Sequence, residues 1–168
     1  MTLSIHLAGA SDMSTVADLC RAYRETLIAR SEDTPEFVAR YYGAGAFETL
    51  LKELPQKHAR PDGAIFLACK GDAPVGCAMT HRIDIETCEI KRVYVAPEAR
   101  GLGAGRALFE AAMAQARADG YVRMVLDTFH TLAEAIELYG KLGFAETPPF
   151  YPPDRELGDK IRFYARPL

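Results

Sequence analysis

A glycine-rich segment between a predicted strand and a predicted helix constrains the fold of this chain more than any other feature. The segment reads Arg100-Gly101-Leu102-Gly103-Ala104-Gly105-Arg106, and it follows the strand-like run Cys88–Val95. Glycine tolerates positive φ and lets a ligand approach the backbone without meeting a Cβ. Free amides at the start of a helix, together with the helix dipole, attract anions. The pattern therefore predicts a strand–turn–helix unit with a phosphate site at the turn.

Two better-known phosphate motifs do not fit this segment. A dinucleotide-binding fingerprint requires glycine where Arg106 stands, and a P-loop requires a Gly-Lys-Ser/Thr sequence that the chain lacks. The remaining alternative is an ordinary glycine turn that binds no ligand. Three alternate glycines bracketed by Arg100 and Arg106 exceed what such a turn requires, so we favour anion binding.

Hydrophobic periodicity predicts strands and helices in a mixed order, within one α/β domain over residues 1–168. Strands are predicted at Thr2–Ala8, Ala64–Lys70, Pro74–Ile83, Cys88–Val95, Val122–Asp127, Phe144–Ala145 and Lys160–Ala165. Helices are predicted after a cap at Ser11 or Asp12, from Thr34-Pro35, along Phe47, Leu50, Leu51 and Leu54 up to Pro55, over Ala104–Ala118, and after a capping box at Thr131–Glu134.

Two motifs, in this order, resemble the GCN5-related N-acetyltransferase (GNAT) family. Its main motif, Arg/Gln-x-x-Gly-x-Gly/Ala, is met by Arg100, Gly103 and Gly105. The strand end Tyr94-Val95-Ala96-Pro97 and the later segment Ala135–Phe144 are also similar to that family. The resemblance implies a mixed, strongly twisted β-sheet flanked by helices, in which two central strands splay apart and pantetheine inserts between them.

The same resemblance implies acetyl-CoA as the acetyl donor and a primary amine of a small molecule, peptide or protein as the acceptor. The cofactor would contact the strand end and the turn, at Val93, Tyr94, Val95, Arg100, Gly101, Leu102, Gly103, Ala104, Gly105 and Arg106. The chain departs from the family at Leu132, where an asparagine commonly contacts pantetheine, and Thr131 is the nearest polar substitute. A rival function is a catalytically silent acyl-CoA-binding module, which needs the turn but no catalytic groups.

Acetyl transfer to an amine requires a proton acceptor, because a lysine-like amine has a pKa near ~10.4 and is mostly charged at neutral pH. Strand alternation predicts one shared face for Glu89, Lys91, Val93 and Val95. The resemblance implies Glu89 as the base, since it stands six residues before Val95. The alternative is that Glu89 pairs structurally with Lys91 or Arg92.

The resemblance also implies that Tyr139 is the general acid that protonates the departing thiolate. The alternative is simple packing, because Tyr139 lies on the apolar stripe of its predicted helix. In this fold the first helices and the last hairpin usually shape the acceptor site. The resemblance therefore implies that aromatic and basic residues of these segments line the acceptor site. They are Tyr23, Arg24, Tyr41, Tyr42, Phe150 and Tyr151.

Composition narrows the possible partners and the compartment. The chain has 49% hydrophobic residues and a formal net charge of −3, which is typical of a globular protein with no general attraction for nucleic acid. No apolar run approaches the ~20 residues that span a bilayer, and Met1–His6 lacks the features of a signal peptide. We expect a cytoplasmic monomer or homodimer with free thiols at Cys20, Cys69, Cys77 and Cys88, and no metal at His6, His58, His81 or His130.

Overall fold

The computed structural model describes residues 2–30, 42–153, 155 and 158–168, which form one mixed seven-stranded sheet. Its strands are β1 (Leu3–Leu7), β2 (Ala64–Lys70), β3 (Ala73–Arg82), β4 (Thr87–Val95), β5 (Arg123–Phe129), β6 (Ala145–Glu146) and β7 (Ile161–Pro167). Their spatial order is β1-β2-β3-β4-β5-β7-β6. β4 and β5 are parallel, and the other neighbouring strands are antiparallel.

The described α-helices cover both faces of this sheet. They are α1 (Met13–Ala29), α2 (Ala44–Lys57), α3 (Ala104–Ala118) and α4 (Ala133–Lys141). On one face α1 and α2 bury apolar side chains such as Val16 and Phe47 in a cluster with Met79 of β3. On the other face Leu108 and Phe109 of α3 lie in a second cluster. The predicted mixed sheet flanked by helices is therefore confirmed.

The two parallel strands separate part-way along their length. β4 and β5 pair at Thr87 with Arg123, Cys88 with Met124 and Glu89 with Val125, and their pairing ends there. The following residues of each strand continue to pair with their outer neighbours, β3 and β7. The splay that the family resemblance implies is present, and it leaves a gap in the middle of the sheet.

A β-bulge interrupts β4 beside this gap. Cys77 of β3 faces Tyr94, whereas Met79 faces Lys91, so one residue of β3 lies opposite two of β4. The extra residue is Arg92, whose φ of 51° lies in the left-handed region. The bulge shifts the alternation of side chains by one position beyond this point.

Because of that shift, the predicted shared face for Glu89, Lys91, Val93 and Val95 is wrong. The first two lie on the α1/α2 face, directly opposite His81 and Met79 of β3. Val93 and Val95 pack into the cluster on the α3/α4 face.

Two predicted helix boundaries are also wrong. α2 continues through Pro55 to Lys57, because a proline in the last turn removes only one hydrogen bond and His58 N still donates to Leu54 O (3.0 Å). α4 has no side-chain cap: its N-cap is Leu132, whose amide donates to Phe129 O (3.1 Å) in the preceding turn. The turn delays the helix start by one residue and excludes the expected capping box.

The remaining predictions concern the helix start at Thr34-Pro35, the thiols and membrane-spanning segments. The helix start at Thr34-Pro35 lies outside the described residues. All four cysteines are free thiols. Within the part of the chain that is described, no helix combines the length and apolar character needed to cross a membrane.

Candidate active site

A cavity of about 440 Å³ lies where β4 and β5 separate. Residues 90–93 of β4 form one wall and residues 126–129 of β5 form the other. Tyr23 of α1 lines it from one face of the sheet, and Tyr139 of α4 lines it from the opposite face. Because both faces contribute, the cavity passes through the sheet and can hold two reactants that enter from different sides.

The glycine-rich turn joins β4, which forms one wall of this cavity, to α3. Gly101 and Gly103 have φ values of 77° and 79°, which explains the need for glycine at both positions. Gly103 is the N-cap of α3, and a Cβ at this position would have no neighbouring atom within 4 Å. The first amides of a helix have no partner within it, so those of α3 are available to a ligand. The turn therefore has the geometry of an anion cradle.

Gly105 has a different role from the other two glycines. It lies inside α3, and a Cβ there would approach Leu138 Cδ2 of α4 to 3.3 Å and Val95 Cγ2 to 3.8 Å. Its missing side chain lets α3 pack closely against α4 and the end of β4. Close packing, rather than left-handed backbone, explains this third glycine.

Three exposed side chains surround the cradle. Arg100 and Leu102 are exposed, and Arg106 Nη1 lies 3.5 Å from Glu110 Oε1 one turn along α3. Exposed pairs of this kind contribute little energy, so both arginines keep the positive potential that an approaching phosphate would meet.

Tyr139 lies at the cavity on the α3/α4 face. Only 9% of it is exposed, and its ring packs edge-to-face on Phe109 at 5.5 Å between centroids. Burial raises the pKa of Tyr139 to about 12, against a smaller opposing effect of its hydrogen bond with Thr128. The phenol therefore keeps its proton at neutral pH and is able to donate it.

Glu89 lies at the point where the β4–β5 pairing ends, and it is 3% exposed. Its Oε1 accepts a hydrogen bond from Lys91 Nζ (2.8 Å), and its Oε2 lies 3.1 Å from His81 Nε2. Burial alone would raise the pKa of this carboxyl, but the contact with His81 and the charge of Lys91 hold it below its ordinary value. Glu89 does not line the cavity. Its contact with Lys91 is the structural pairing that the sequence analysis gave as the alternative to a catalytic role for Glu89.

Sequence reasoning missed the carboxylate that does line the cavity. Asp127 of β5 accepts a hydrogen bond from Tyr151 Oη at Oδ2 (2.7 Å), and its Oδ1 lies 3.6 Å from Lys91 Nζ. Lys91 thereby bridges Glu89 on β4 and Asp127 on β5. A signal was available, because Asp127 follows the apolar run Met124-Val125-Leu126 within a central strand.

The sequence model that describes the Acetyltransferase (GNAT) family matches residues 23–144, which is more than half of the chain. The chain belongs to the GNAT acetyltransferase family.

Relatives of this GNAT protein include two proteins named as acetyltransferases. An uncharacterized N-acetyltransferase of Schizosaccharomyces pombe is 37% identical over 100 residues, which cover 58% of this chain and 61% of the relative. The IAA acetyltransferase of Azospirillum brasilense is 41% identical over 99 residues, which cover 58% of this chain and 64% of the relative. The chain thus matches less than two thirds of the length of these relatives.

Solved structures share the fold over the full length of the chain. The PaiA N-acetyltransferase of Thermoplasma acidophilum, solved in complex with coenzyme A, superimposes with a TM-score of 0.77 at 19% identity and full coverage of both chains. A GNAT-family acetyltransferase of Staphylococcus aureus gives a TM-score of 0.75 at 18% identity, with 99% of each chain covered. At such low identity these matches establish the fold alone.

Three of the predicted acceptor residues lie at the cavity of this GNAT protein. Tyr23, Tyr42 and Tyr151 line it together on the α1/α2 face, beside Asp127. Tyr41 lies outside the described residues.

Two other predicted acceptor residues support the wall instead of lining it. The Arg24 guanidinium donates to the Tyr42 carbonyl and stacks over the Phe47 ring at 5.8 Å. Phe150 packs edge-to-face against Phe163 of β7 at 5.2 Å. Neither residue is part of the cavity lining, so a direct contact of Arg24 or Phe150 with the acceptor stays a prediction.

Of the predicted cofactor contacts on β4, one lines the cavity and the other two do not. Val93 lines the cavity, whereas the ring of Tyr94 is buried against α1, 6.3 Å from the Tyr23 ring. Val95 packs into the cluster on the α3/α4 face and is not part of the cavity lining. No three His, Cys, Asp or Glu side chains within the described ranges are grouped as a metal site requires.

A buried imidazole, that of His58, contacts the partly exposed ring of His81. His58 is 4% exposed, its Nδ1 lies 2.9 Å from Thr80 O, and its ring meets His81 edge-on at 5.6 Å. Burial lowers the pKa of His58 to about 4, so the folded protein keeps this imidazole neutral where an unfolded chain would protonate it.

We predict that this histidine makes the protein acid-sensitive. As the pH falls from 7 to 5 the unfolded chain protonates His58 and the folded chain does not, so the free energy of unfolding should fall by about 2 kcal/mol from this group. Urea unfolding of the wild type and of His58→Gln across this range measures the effect. The variant should show a flatter pH dependence, whereas His130→Gln, which changes an exposed histidine, should keep the wild-type slope. Equal slopes for all three proteins would refute this origin of the acid sensitivity.

Proposed function

We propose that this protein transfers the acetyl group of acetyl-CoA to a primary amine of a small molecule or a peptide. The observation that carries the proposal is the gap between β4 and β5, where Tyr139 and Asp127 line one cavity and β4, which forms one of its walls, leads into the anion cradle. The GNAT membership supports acyl transfer as the reaction class.

The cradle fits the pyrophosphate of coenzyme A. Gly103 leaves open space over the unpaired amides of α3, and Arg100 and Arg106 add positive charge beside it. When bound, acetyl-CoA supplies an activated acetyl group as a thioester. Within the gap, the main chain of β4 after Glu89 has no partner on the β5 side, which leaves backbone groups for the pantetheine arm. That backbone contact would compensate for Leu132, which lines the cavity where the family commonly has asparagine.

Tyr139 is proposed as the general acid. Its raised pKa keeps the hydroxyl protonated at neutral pH, and the side chain lies on the cavity wall that faces the cofactor side. As the amine nitrogen forms a bond to the acetyl carbon and the carbon–sulfur bond breaks, Tyr139 would give its proton to the sulfur.

The proton of the amine requires a second group. Glu89, the base implied by the sequence, is buried and already holds Lys91 and His81, so it could act on an amine only through intervening water. Asp127 faces the cavity directly and keeps lone pairs beyond its bond from Tyr151. We therefore propose Asp127 as the carboxylate that binds the ammonium group and accepts its proton before the amine attacks, with Glu89 holding Lys91 beside it.

A catalytically silent acyl-CoA-binding module is the competing function. Such a module would use the cradle but have no need for a buried phenol and a carboxylate on opposite sides of one cavity. Release of free thiol from acetyl-CoA in the presence of a library of amines separates the two functions, since the silent module would bind acetyl-CoA without releasing thiol.

The cradle predicts a loss of cofactor affinity in Gly103→Ala. The added methyl group would enter the open space over the amides, and calorimetry should show acetyl-CoA binding weakened by at least ~10-fold. Gly120→Ala is the matched control, because Gly120 also has a positive φ (92°) and open space, but at the far end of α3. Both variants bear similar backbone strain, of ~1 kcal/mol. Equal acetyl-CoA affinity in the two variants would show that the turn does not hold the cofactor.

Loss of the Tyr139 hydroxyl should lower kcat without unfolding the protein. Tyr139→Phe keeps the ring contacts with Phe109 and removes only the proton donor. We expect kcat to fall by ~100-fold or more, with acetyl-CoA affinity nearly unchanged. Tyr164→Phe, another largely buried tyrosine in the same aromatic cluster, is the control and should retain its rate. A Tyr139→Phe enzyme with wild-type kcat would assign this ring to packing alone.

We predict that replacing Asp127 by asparagine lowers mainly the rate and that replacing Glu89 by glutamine lowers mainly the stability. Asp127→Asn should lower kcat/KM by ~100-fold or more at neutral pH, and less as the pH rises towards the pKa of the amine, where free amine becomes abundant. Glu89→Gln should mainly lower thermal stability, because it weakens a buried ion pair with Lys91. Measured pH profiles of kcat/KM and melting temperatures test both statements. A steep, pH-dependent loss in Glu89→Gln with normal melting, and little loss in Asp127→Asn, would instead make Glu89 the base.

A further inference from the structure

The proposed acetyl transfer gives no role to Arg92, which lines the cavity. Arg92 occupies the β-bulge of β4 with a φ of 51°, a conformation that residues other than glycine, asparagine and aspartate seldom adopt. A long charged side chain in such a position is an observed backbone outlier beside a candidate active site, where strained residues tend to have a function.

The side chain of Arg92 points to the acceptor half of the cavity. Its Nη1 lies 3.8 Å from Met79 Sδ, which belongs to the cluster on the α1/α2 face, and the residue lines the cavity. The neighbouring cation, Lys91, has two carboxylate partners, Glu89 and Asp127. Among the described residues no carboxylate lies within 4.0 Å of Arg92. A half-buried guanidinium in this situation is a ready partner for an anion in the cavity.

The opposite wall of the cavity has the opposite charge. Asp127 of β5 and Arg92 of β4 line the cavity from its two walls, and the charges of both act on the Tyr42 hydroxyl. The two opposite charges thus line one cavity of about 440 Å³, which suits a small ligand that carries both charges. The apolar remainder of this half includes Phe47, Leu50 and Ile161.

We infer that the acceptor is an α-amino acid with an apolar side chain, whose ammonium group meets Asp127 and whose carboxylate meets Arg92. The inference rests on the proposed acetyl transfer and names the substrate class for it. Polyamines and other polycations fit poorly, since they would bring a second ammonium group to a guanidinium. Peptide amino termini fit poorly as well, because their carboxylate is replaced by an amide.

The test compares each amino acid with the amine that differs only by loss of the carboxylate. Suitable pairs are L-phenylalanine with phenethylamine and L-leucine with isoamylamine, measured as kcat/KM at saturating acetyl-CoA. The wild type should prefer the amino acid of each pair by about 10- to 100-fold, as expected for a charged hydrogen bond to carboxylate. Arg92→Asn should abolish this preference by lowering kcat/KM for the amino acids alone.

Asparagine is the chosen replacement because it tolerates positive φ, so the melting temperature of Arg92→Asn should not fall. Arg92→Lys keeps the cation and should retain part of the preference, which separates charge from backbone effects.

Other outcomes overturn the inference. A wild type that acetylates the amines as well as the amino acids would overturn it, and so would an equal loss for both members of each pair in Arg92→Asn. In both cases acetyl transfer to amines, and hence the proposed function, would stand. If neither member of any pair is acetylated, the inference also fails. Thiol release with a wider library of polyamines and peptides then decides the proposed function separately.

Discussion

The separation of β4 and β5 after Glu89 and Val125 is the constraint on which the rest of this structure depends. Within a sheet, unpaired backbone groups are costly unless water or a ligand satisfies them. The gap therefore favours a ligand with amide groups, because these can pair with the free backbone groups in the middle of the sheet. The phenol of Tyr139 and the carboxylate of Asp127 both line this opening, and the proposed phosphate cradle follows β4, which forms one of its walls.

The charges at the closed end of the gap connect its two walls. Lys91 of β4 contacts both Glu89 on its own strand and Asp127 on β5, so one ammonium group holds two carboxylates from different strands. Removing either partner would leave a partly buried charge with less compensation, which is the costly case for buried ion pairs. This arrangement gives Glu89 a structural reason to be buried and leaves Asp127 facing the cavity. His81 and His58 extend the polar cluster away from the cavity, and burial keeps His58 neutral.

The sequence predicted those features that depend on local pattern. The boundaries of α3 and the left-handed glycines of the turn follow from composition and spacing, and the structure has them. The β-bulge could not be predicted in this way, because Glu89–Val95 alternates regularly enough to suggest an uninterrupted strand. Since a bulge depends on pairing with β3, it is a tertiary feature. The error at the bulge explains why Glu89 and Val93 were expected on one face.

The cavity lining was predicted less completely than the fold. Tyr23, Tyr42 and Tyr151 were predicted because the family resemblance places the acceptor site at the first helices and the last hairpin, and all three line the cavity, whereas Asp127 and Arg92 need the relative placement of two strands. The central claim is that the gap between these strands receives the cofactor and presents it to both tyrosine and carboxylate. A crystal structure of the complex with acetyl-CoA tests this most directly. The account predicts pantetheine between β4 and β5 beyond Glu89 and Val125, with the sulfur at Tyr139 and the pyrophosphate at Gly103. Acetyl-CoA bound elsewhere, with the gap empty, would contradict it.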